Sequence, residues 1–209
     1  MARFSTSKGN FVGLSQLPNA LRSLWQVFLR RGFKIYPELP WIPFSAIPEL
    51  ERILDPKSIV YEVGAGMSTL WFSARSAKVT SVEADRHWHT KLLEILAARR
   101  ITNVELKLEW VADRMSALPG AAPDSLDLLV VDGGPRTDCL AAGFDRVKNG
   151  GYLYLDNWDV LPFWIGADTF LESRRAEIDF QRSFIDYVPG NFAVNEGLLI
   201  RKKSRNGRG

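Results

Sequence analysis

The sequence contains a single cysteine, Cys139, among its 209 residues, so no disulfide can form within the chain. It also lacks any apolar run approaching the roughly 20 residues that a membrane-spanning helix needs. Its N-terminal stretch has no continuous apolar core of the kind found in secretory signals. These absences argue against a disulfide-stapled scaffold and against a membrane-spanning chain, and we expect a cytoplasmic globular protein.

Acidic residues are missing from both ends of the sequence. Residues 1–37 contain six basic residues and no acidic one, and residues 201–209 contain five basic residues and no acidic one. Of the 27 basic and 24 acidic residues in the chain, the part between these ends keeps 16 and 24. The pI of about 9.1 therefore describes two basic ends on an acidic body, not a basic binding surface.

Residues 17–32 have the pattern of an amphipathic helix. Apolar side chains recur at the spacing i, i+3, i+4 and i+7, at Leu21, Leu24, Trp25 and Phe28. We expect this apolar stripe to pack on the main domain, so that residues 1–40 form a basic tail, disordered over its first ten residues, and a cap helix. The pattern is also compatible with a helix that contacts a membrane surface through residues 17–31, or that closes over a substrate.

From Ser58 onward, short apolar strands alternate with helical segments. Strands are predicted at residues 58–63, 78–84, 103–109, 126–133 and 151–157. Their continuous apolar character and regular alternation with helices predict a doubly wound α/β domain with a mostly parallel sheet. The last two strands, residues 180–188 and 197–203, flank the link "PGNFAVNE" without a helix and are predicted to form an antiparallel hairpin.

The turn after the first strand, "VYEVGAGMST", is the expected position of a ligand, because ligands of such sheets bind at the carboxyl ends of the strands. The third glycine of the dinucleotide fingerprint is missing, since Thr69 stands in its place. No Lys-Ser/Thr pair follows the glycines, which excludes a phosphate-binding P-loop. Glu62 would repel a pyrophosphate but suits a cationic ligand such as S-adenosylmethionine. Glu83, which ends the second strand, fits the ribose of NAD and of S-adenosylmethionine equally.

These segments resemble the motifs of the class I S-adenosylmethionine-dependent methyltransferases, which are matched by "YEVGAGMST", "SVEAD", "WVAD", "LDLLVVDGG" and "NGGYLYLDN". "PWIPFSAIPELERIL" further resembles an uncharacterised bacterial subgroup. The resemblance spans residues 41–201 and implies a seven-stranded sheet with a terminal antiparallel hairpin, preceded by N-terminal helices. Residues 41–201 would then be the S-adenosylmethionine-binding domain, and residues 202–209 a basic disordered tail.

The resemblance also implies which residues contact the cofactor. The methionine end would be lined by Glu62, Gly64, Ala65 and Gly66, with Ser68 or Thr69 nearby. Glu83 would hold the ribose, and Ala84 would lie beside the adenine. Asp113 could accept a hydrogen bond from the adenine amino group, although a solvated loop acid is an equally good interpretation.

Polar residues that end the fourth and fifth strands are candidates for the acceptor side. Asp132, Asp156 and Asn157 resemble the oxygen ligands that hold Mg²⁺ in catechol-type O-methyltransferases. Those enzymes carry a lysine shortly after the first aspartate, where this sequence has Pro135, followed by Arg136. We therefore favour no tightly bound metal, with Asp132 contacting the cofactor or ordering its loop. Asp132 and Asp156 remain the candidate catalytic residues.

The leading hypothesis is a methyltransferase that acts on an oxygen or nitrogen atom of a small-molecule or sugar-type acceptor, and a homodimer is compatible with it. An RNA methyltransferase could use the basic ends as phosphate contacts, but the body is acidic. A non-catalytic S-adenosylmethionine-binding partner subunit is a third hypothesis, because no clear base follows Asp132. An NAD-dependent oxidoreductase would need the glycine that Thr69 replaces.

Overall fold

The computed structural model describes residues 3–109, 112–113 and 117–204. Its strands are β1 (Ile59–Val63), β2 (Lys78–Glu83), β3 (Val104–Leu108), β4 (Leu126–Val131), β5 (Val147–Leu155), β6 (Ile178–Val188) and β7 (Asn191–Lys202). They form one seven-stranded sheet in the order β3-β2-β1-β4-β5-β7-β6. The first five strands are parallel, and β7 pairs antiparallel with β5 and β6. The predicted doubly wound sheet with a terminal antiparallel pair is confirmed.

Helices cover both faces of the sheet. The described ranges contain α1 (Leu17–Phe33), α2 (Ile47–Ile53), α3 (Met67–Ser73), α4 (Arg86–Ala98), α5 (Arg136–Phe144) and α6 (Ala167–Ser173). Alternate strand residues enter separate cores: Tyr61 packs in one cluster with Phe144, and Val60 packs in the other with Phe72. Burial on both faces explains why the strands read as continuous apolar runs. Among the described residues, no helix has the length and apolar character to cross a membrane.

The hairpin is tighter than the sequence suggests. Most of the predicted link belongs to β7, and only Pro189 and Gly190 separate the two strands. Gly190 has a φ of +67°, which a glycine adopts without steric cost. β7 (Asn191–Lys202) therefore begins directly after this two-residue turn.

The N-terminal segment differs from two predictions, the disorder of its first ten residues and the packing of the apolar stripe of α1. The first ten residues were predicted to be disordered, but residues 4–12 form a hydrogen-bonded turn in which Ser5 pairs with Phe11. α1 does cover the β6–β7 hairpin, but its apolar stripe faces outward, and its inward-facing buried residues are Ala20 and Ser23. The prediction that the stripe packs on the domain is wrong, because polar groups of the hairpin select the opposite face. The prediction of a disordered tail over residues 202–209 is wrong at Lys202, which is a buried residue of β7 whose Nζ donates to the carbonyl oxygens of Phe144 and Val147. Residues 205–209 lie outside the described residues.

The turns after β1 and β4 meet in a backbone contact. Gly64 has a φ of +95°, and a Cβ atom placed on it would lie 3.0 Å from the carbonyl carbon of Asp132 and 3.0 Å from the nitrogen of Gly133. A Cβ on Gly133 would in turn lie 3.0 Å from the Cα of Gly64. Only glycines allow the turn that is predicted to hold the cofactor to lie directly against Asp132.

We expect Gly64→Ala to lower the free energy of unfolding by about 1–3 kcal/mol, because the new Cβ meets backbone at a positive φ. Urea denaturation measures this loss. Gly32→Ala in α1 is the matched control, because its Cβ meets nothing within 4 Å, and it should leave stability unchanged or raise it by up to about 1 kcal/mol. Equal stability of the two variants would contradict the contact.

Candidate active site

Glu62 ties the glycine turn to the sheet. It lies near the end of β1 and is 1% exposed. Its carboxylate accepts hydrogen bonds from Ser68, from Thr69 Oγ1 at 2.6 Å and from Ser81 Oγ at 2.7 Å. Thr69 Oγ1 also accepts a hydrogen bond from the Gly66 amide at 3.1 Å. The residue in the third-glycine position thus braces the turn from beneath.

Burial gives the Glu62 carboxyl an unusual protonation equilibrium. Loss of hydration raises its pKa from an ordinary value of 4.5 to about 7, although the three hydroxyl donors oppose the shift. Among the described residues, Glu62 has three hydroxyl donors and no ion pair with a cationic side chain. Glu62 is a structural carboxyl of the turn, and its predicted contact with a cofactor stays a prediction.

A cavity of about 350 Å³ opens beside the turn. It is lined by Tyr36, Trp41, Gly64, Ala65, Gly66, Met67, Ser68, Trp88 and Asp132. Five of these, the two glycines with Ala65, Ser68 and Asp132, are among the residues predicted to contact the cofactor. The walls formed by Tyr36 and Trp88 were not predicted. Trp88 had a local signal, because it lies in the first turn of the helix that follows Glu83.

The side of this cavity next to β2 is shaped by α4. Trp88 Nε1 donates to the carbonyl oxygen of Ala65 at 2.9 Å. Glu83 ends β2, and its carboxylate accepts from the amides of Ala84 at 2.8 Å and Asp85 at 2.7 Å. These contacts fix the Glu83 side chain at the sheet edge, and its ribose role stays a prediction.

The remaining predicted cofactor residues lie around this edge. Thr69 is fully buried beneath the turn, and Ala84 is exposed after β2. Asp113 accepts a hydrogen bond at its carbonyl oxygen from the Ala117 amide at 3.1 Å. Trp110 and Val111 of the motif "WVAD" lie outside the described residues.

Arg136 lies at the centre of the polar residues that follow β4 and β5. Its side chain is almost fully buried. Its guanidinium donates to the carbonyl oxygens of Asp156 and, at 2.9 Å, Asp132, and to Asn157 Oδ1 at 3.1 Å. It also lies 3.4 Å from Asp132 Oδ1 and 4.0 Å from Asp156 Oδ2.

The three residues tentatively assigned to Mg²⁺ therefore surround a side-chain cation. Asp132, Asp156 and Asn157 do not fit a Mg²⁺ site, because Arg136 engages all three. Within the described ranges, no group of three or more His, Cys, Asp or Glu residues could hold a metal ion. Arg136 follows Pro135, which stands where the catechol-type enzymes carry a lysine. The sequence alone did not indicate that the Arg136 side chain points toward Asp132, Asp156 and Asn157.

Asp132 and Asp156 form an interacting carboxyl pair. Burial raises the pKa of Asp156 well above its ordinary value, and the charge of Asp132 raises it further. Burial also raises the pKa of Asp132, whereas the Arg136 guanidinium opposes that shift. The protonated form is therefore favoured at both carboxyls, and more strongly at Asp156, because Asp132 Oδ1 lies closer to the Arg136 guanidinium.

A second cavity, of about 140 Å³, adjoins the first. It is lined by Trp41, Asp132, Asp156, Asn157, Val188, Asn191 and Asn195. Two buried polar atoms of this lining, Trp41 Nε1 and Asp156 Oδ1, have no hydrogen-bond partner within the described part of the chain. Trp41 and Asp132 line both cavities. The structure thus brings together Asp132, Asp156 and Asn157, the residues predicted to face the methyl acceptor. They lie beside the cavity that adjoins the glycine turn.

Known structures share this architecture. A proposed O-methyltransferase from Klebsiella pneumoniae matches with a TM-score of 0.61 at 17% identity, covering 91% of this chain and 100% of the other. An rRNA methylase from Streptococcus thermophilus matches with a TM-score of 0.53 at 20% identity, covering 75% and 92%. TYW2 from M. jannaschii, in complex with AdoMet, matches with a TM-score of 0.54 at 15% identity, covering 78% and 77%.

No protein-family model and no curated protein sequence matches the chain. The structural matches confirm the resemblance at the level of the fold. The chain has the fold of the class I S-adenosylmethionine-dependent methyltransferases. The neighbours act on different acceptors according to their names, so the fold leaves the acceptor of this chain open.

We expect the stability contributed by Glu62 to fall as the pH rises. Its folded-state pKa of about 7 lies above the unfolded value of 4.5, so its contribution is complete below pH 4.5 and is lost as the pH passes 7. Between these values the stability of the native protein should fall relative to Glu62→Gln by up to about 3 kcal/mol. Denaturation of both proteins across this range isolates Glu62, and parallel profiles would contradict its burial as an acid.

Without the Arg136 cation, no positive charge would offset the free-energy cost of burying the Asp132 and Asp156 carboxyls. We expect Arg136→Met to lower stability near pH 7 by about 3–5 kcal/mol, and by less in acid, where both carboxyls are protonated. Arg52→Met is the control, because Arg52 forms an exposed ion pair with Glu49 and its loss should have little effect.

Millimolar Mg²⁺ should not raise the unfolding midpoint of the native protein, and a clear rise would restore the metal hypothesis.

Proposed function

We propose that this protein is an S-adenosylmethionine-dependent methyltransferase that methylates an oxygen or nitrogen atom of a small polar acceptor without a metal ion. One observation carries the proposal: Asp132 and Trp41 line both the cavity beside the glycine turn and the smaller polar cavity. A methyl donor in the first cavity and an acceptor in the second would meet at the Asp132 carboxylate. Such positioning supplies much of the rate gain in a displacement reaction.

The first cavity suits a cationic cofactor with an aromatic base. Three aromatic side chains, Tyr36, Trp41 and Trp88, line it and offer faces for adenine stacking or for a sulfonium. The charged form of Asp132 favours a cation over a pyrophosphate. In this proposal the backbone from Gly64 to Gly66 lies against the methionine end, and Glu83 receives the ribose hydroxyls.

The carboxyl pair provides a base at the junction of the cavities. The acceptor O–H or N–H bond breaks toward Asp132, while the acceptor atom forms its bond to the methyl carbon and the carbon–sulfur bond breaks. S-adenosylmethionine, when bound, would supply the methyl group and leave as a neutral thioether, and Asp132 would hold the proton released by the acceptor. Asp156 keeps its own proton and is a hydrogen-bond donor to the acceptor, and Arg136 favours the charged form of Asp132.

A small acceptor fits the second cavity better than an exposed nucleic acid does. The cavity of about 140 Å³ is small, and its lining includes Asn157, Asn191 and Asn195. RNA methylation is the second candidate, because the names of some structural neighbours include rRNA and tRNA methyltransferases. The acidic body between the basic ends disfavours it.

The cofactor assignment predicts that S-adenosylhomocysteine binds and NADH does not, as measured by calorimetric titration. Glu83→Gln should weaken S-adenosylhomocysteine binding by about tenfold or more, because a carboxylate that accepts two ribose hydroxyls is lost. Glu94→Gln, on the exposed side of α4, is the matched control and should bind as the native protein does. Tight NADH binding without binding of S-adenosylhomocysteine would refute the proposal.

The base assignment predicts a separation of binding from catalysis. With a methyl-labelled cofactor and a cell extract as the source of acceptor, label should enter the small-molecule fraction and should resist EDTA treatment. Asp132→Asn should reduce this transfer by about 100-fold or more while the affinity for S-adenosylhomocysteine, which lacks the sulfonium charge, changes little. Label that enters only RNA would support the second candidate instead.

A further inference from the structure

α1 carries an exposed apolar face that the methyltransferase site does not use. Leu17, Leu21, Leu24, Trp25 and Phe28 are 53%, 71%, 44%, 59% and 52% exposed. At about 100° per residue, the three leucines and Phe28 fall within an arc of about 60°. Trp25 stacks on Phe28 with ring centroids 5.4 Å apart, which widens the patch. These five residues are called the α1 face below.

The apolar surface continues beyond the end of the helix. Phe33 packs edge-on against Phe28, with centroids 5.6 Å apart, and is 62% exposed. Ile35 follows at 54% exposure. Side chains of this size rarely form a contiguous exposed patch on a soluble monomer unless the patch binds something.

Polar contacts fix this orientation from the other side of the helix. The Ser23 hydroxyl lies 2.9 Å from the carbonyl oxygen of Val188 and 3.0 Å from that of Asn191. Asn19 Nδ2 donates to Asp186 Oδ2 at 2.8 Å. Gln26 Oε1 accepts from the Gly190 amide at 3.0 Å. Rotation of α1 to bury its apolar face would break these buried contacts, so the exposure is built into the fold.

The segment that carries the α1 face has charges of one sign. Residues 1–37 contain no acid. Arg3 and Arg31 line a surface depression with Leu24, and Arg22 lines another with Trp25. Arg22 and Arg31 flank the α1 face on opposite sides of the helix. An apolar face of leucine and aromatic residues between basic side chains is the pattern of helices that lie in the interface of an anionic bilayer.

We propose that the α1 face docks the protein on an anionic lipid bilayer. The apolar side chains enter the boundary between headgroups and acyl chains, and the flanking arginines contact the lipid phosphates and carboxylates. Charge decides against a second copy as the occupant, because a two-fold interface would set the same acid-free basic surface against itself. An exposed row of leucines decides against RNA, which would be bound through phosphates and stacked bases.

Vesicle flotation of the full chain tests the proposal. The native protein should bind vesicles of phosphatidylcholine mixed with phosphatidylserine, should bind phosphatidylcholine alone much less, and should lose binding as salt is raised. Leu24→Glu should weaken vesicle binding by about tenfold or more. Leu93→Glu is the matched control, because Leu93 is also 44% exposed and also lies on a helix, α4.

Each other outcome overturns the proposal. Equal binding of both variants would remove the α1 face from the interaction. A dimer in light scattering that Leu24→Glu dissociates, without vesicle binding by the native protein, would assign the face to a second copy. Binding to a non-specific RNA oligonucleotide, but not to vesicles, would assign the basic surface to nucleic acid. Unfolding midpoints equal to that of the native protein are the control that both variants are folded.

Discussion

The close contact between the turns that follow β1 and β4 determines the geometry of the site. Gly64 packs so closely against the Asp132–Gly133 backbone that a Cβ atom on Gly64 would lie 3.0 Å from that backbone. This contact puts the first strand's turn and the fourth strand's carboxylate on one wall. Glu62 maintains it from below, because its three hydroxyl partners join the turn, α3 and β2. The hydrogen bonds of one buried acid thus hold the turn that lines the larger cavity.

Patterns that depend on local chemistry could be predicted from the sequence. The strands follow from continuous apolar runs, and the place of the site follows from the rule that ligands bind at carboxyl ends of parallel strands. Gly64, Ala65, Gly66, Ser68 and Asp132 line the larger cavity because the turn itself forms its wall. The convergence of Asp132 with Asp156 follows from adjacent strands ending at the same edge.

Features that depend on long-range contacts could not be predicted. The inward direction of Arg136 depends on the buried acids of a neighbouring strand, which a sequence read in order does not place beside it. The stripe of α1 has the period of a packed helix, and the period says nothing about which face finds polar partners. Ser23 and Gln26 decide that choice through carbonyl and amide groups of the hairpin. The hairpin turn was misjudged for a related reason, since polar residues of a buried strand resemble a link.

A guanidinium in place of a metal changes what the site can tolerate. A bound metal can exchange with solvent and other ligands, whereas Arg136 is covalently part of the chain and donates to fixed carbonyl oxygens of both strand ends.

A separate contact joins the site to α1. Arg30 of α1 lies over the ring of Trp41 at 5.0 Å, and Trp41 lines both cavities. The α1 face is on the far side of that helix, so a surface bound there lies about 10–12 Å, one helix diameter, from the wall of the site. Docking through α1 would therefore bring the smaller cavity close to the bilayer surface.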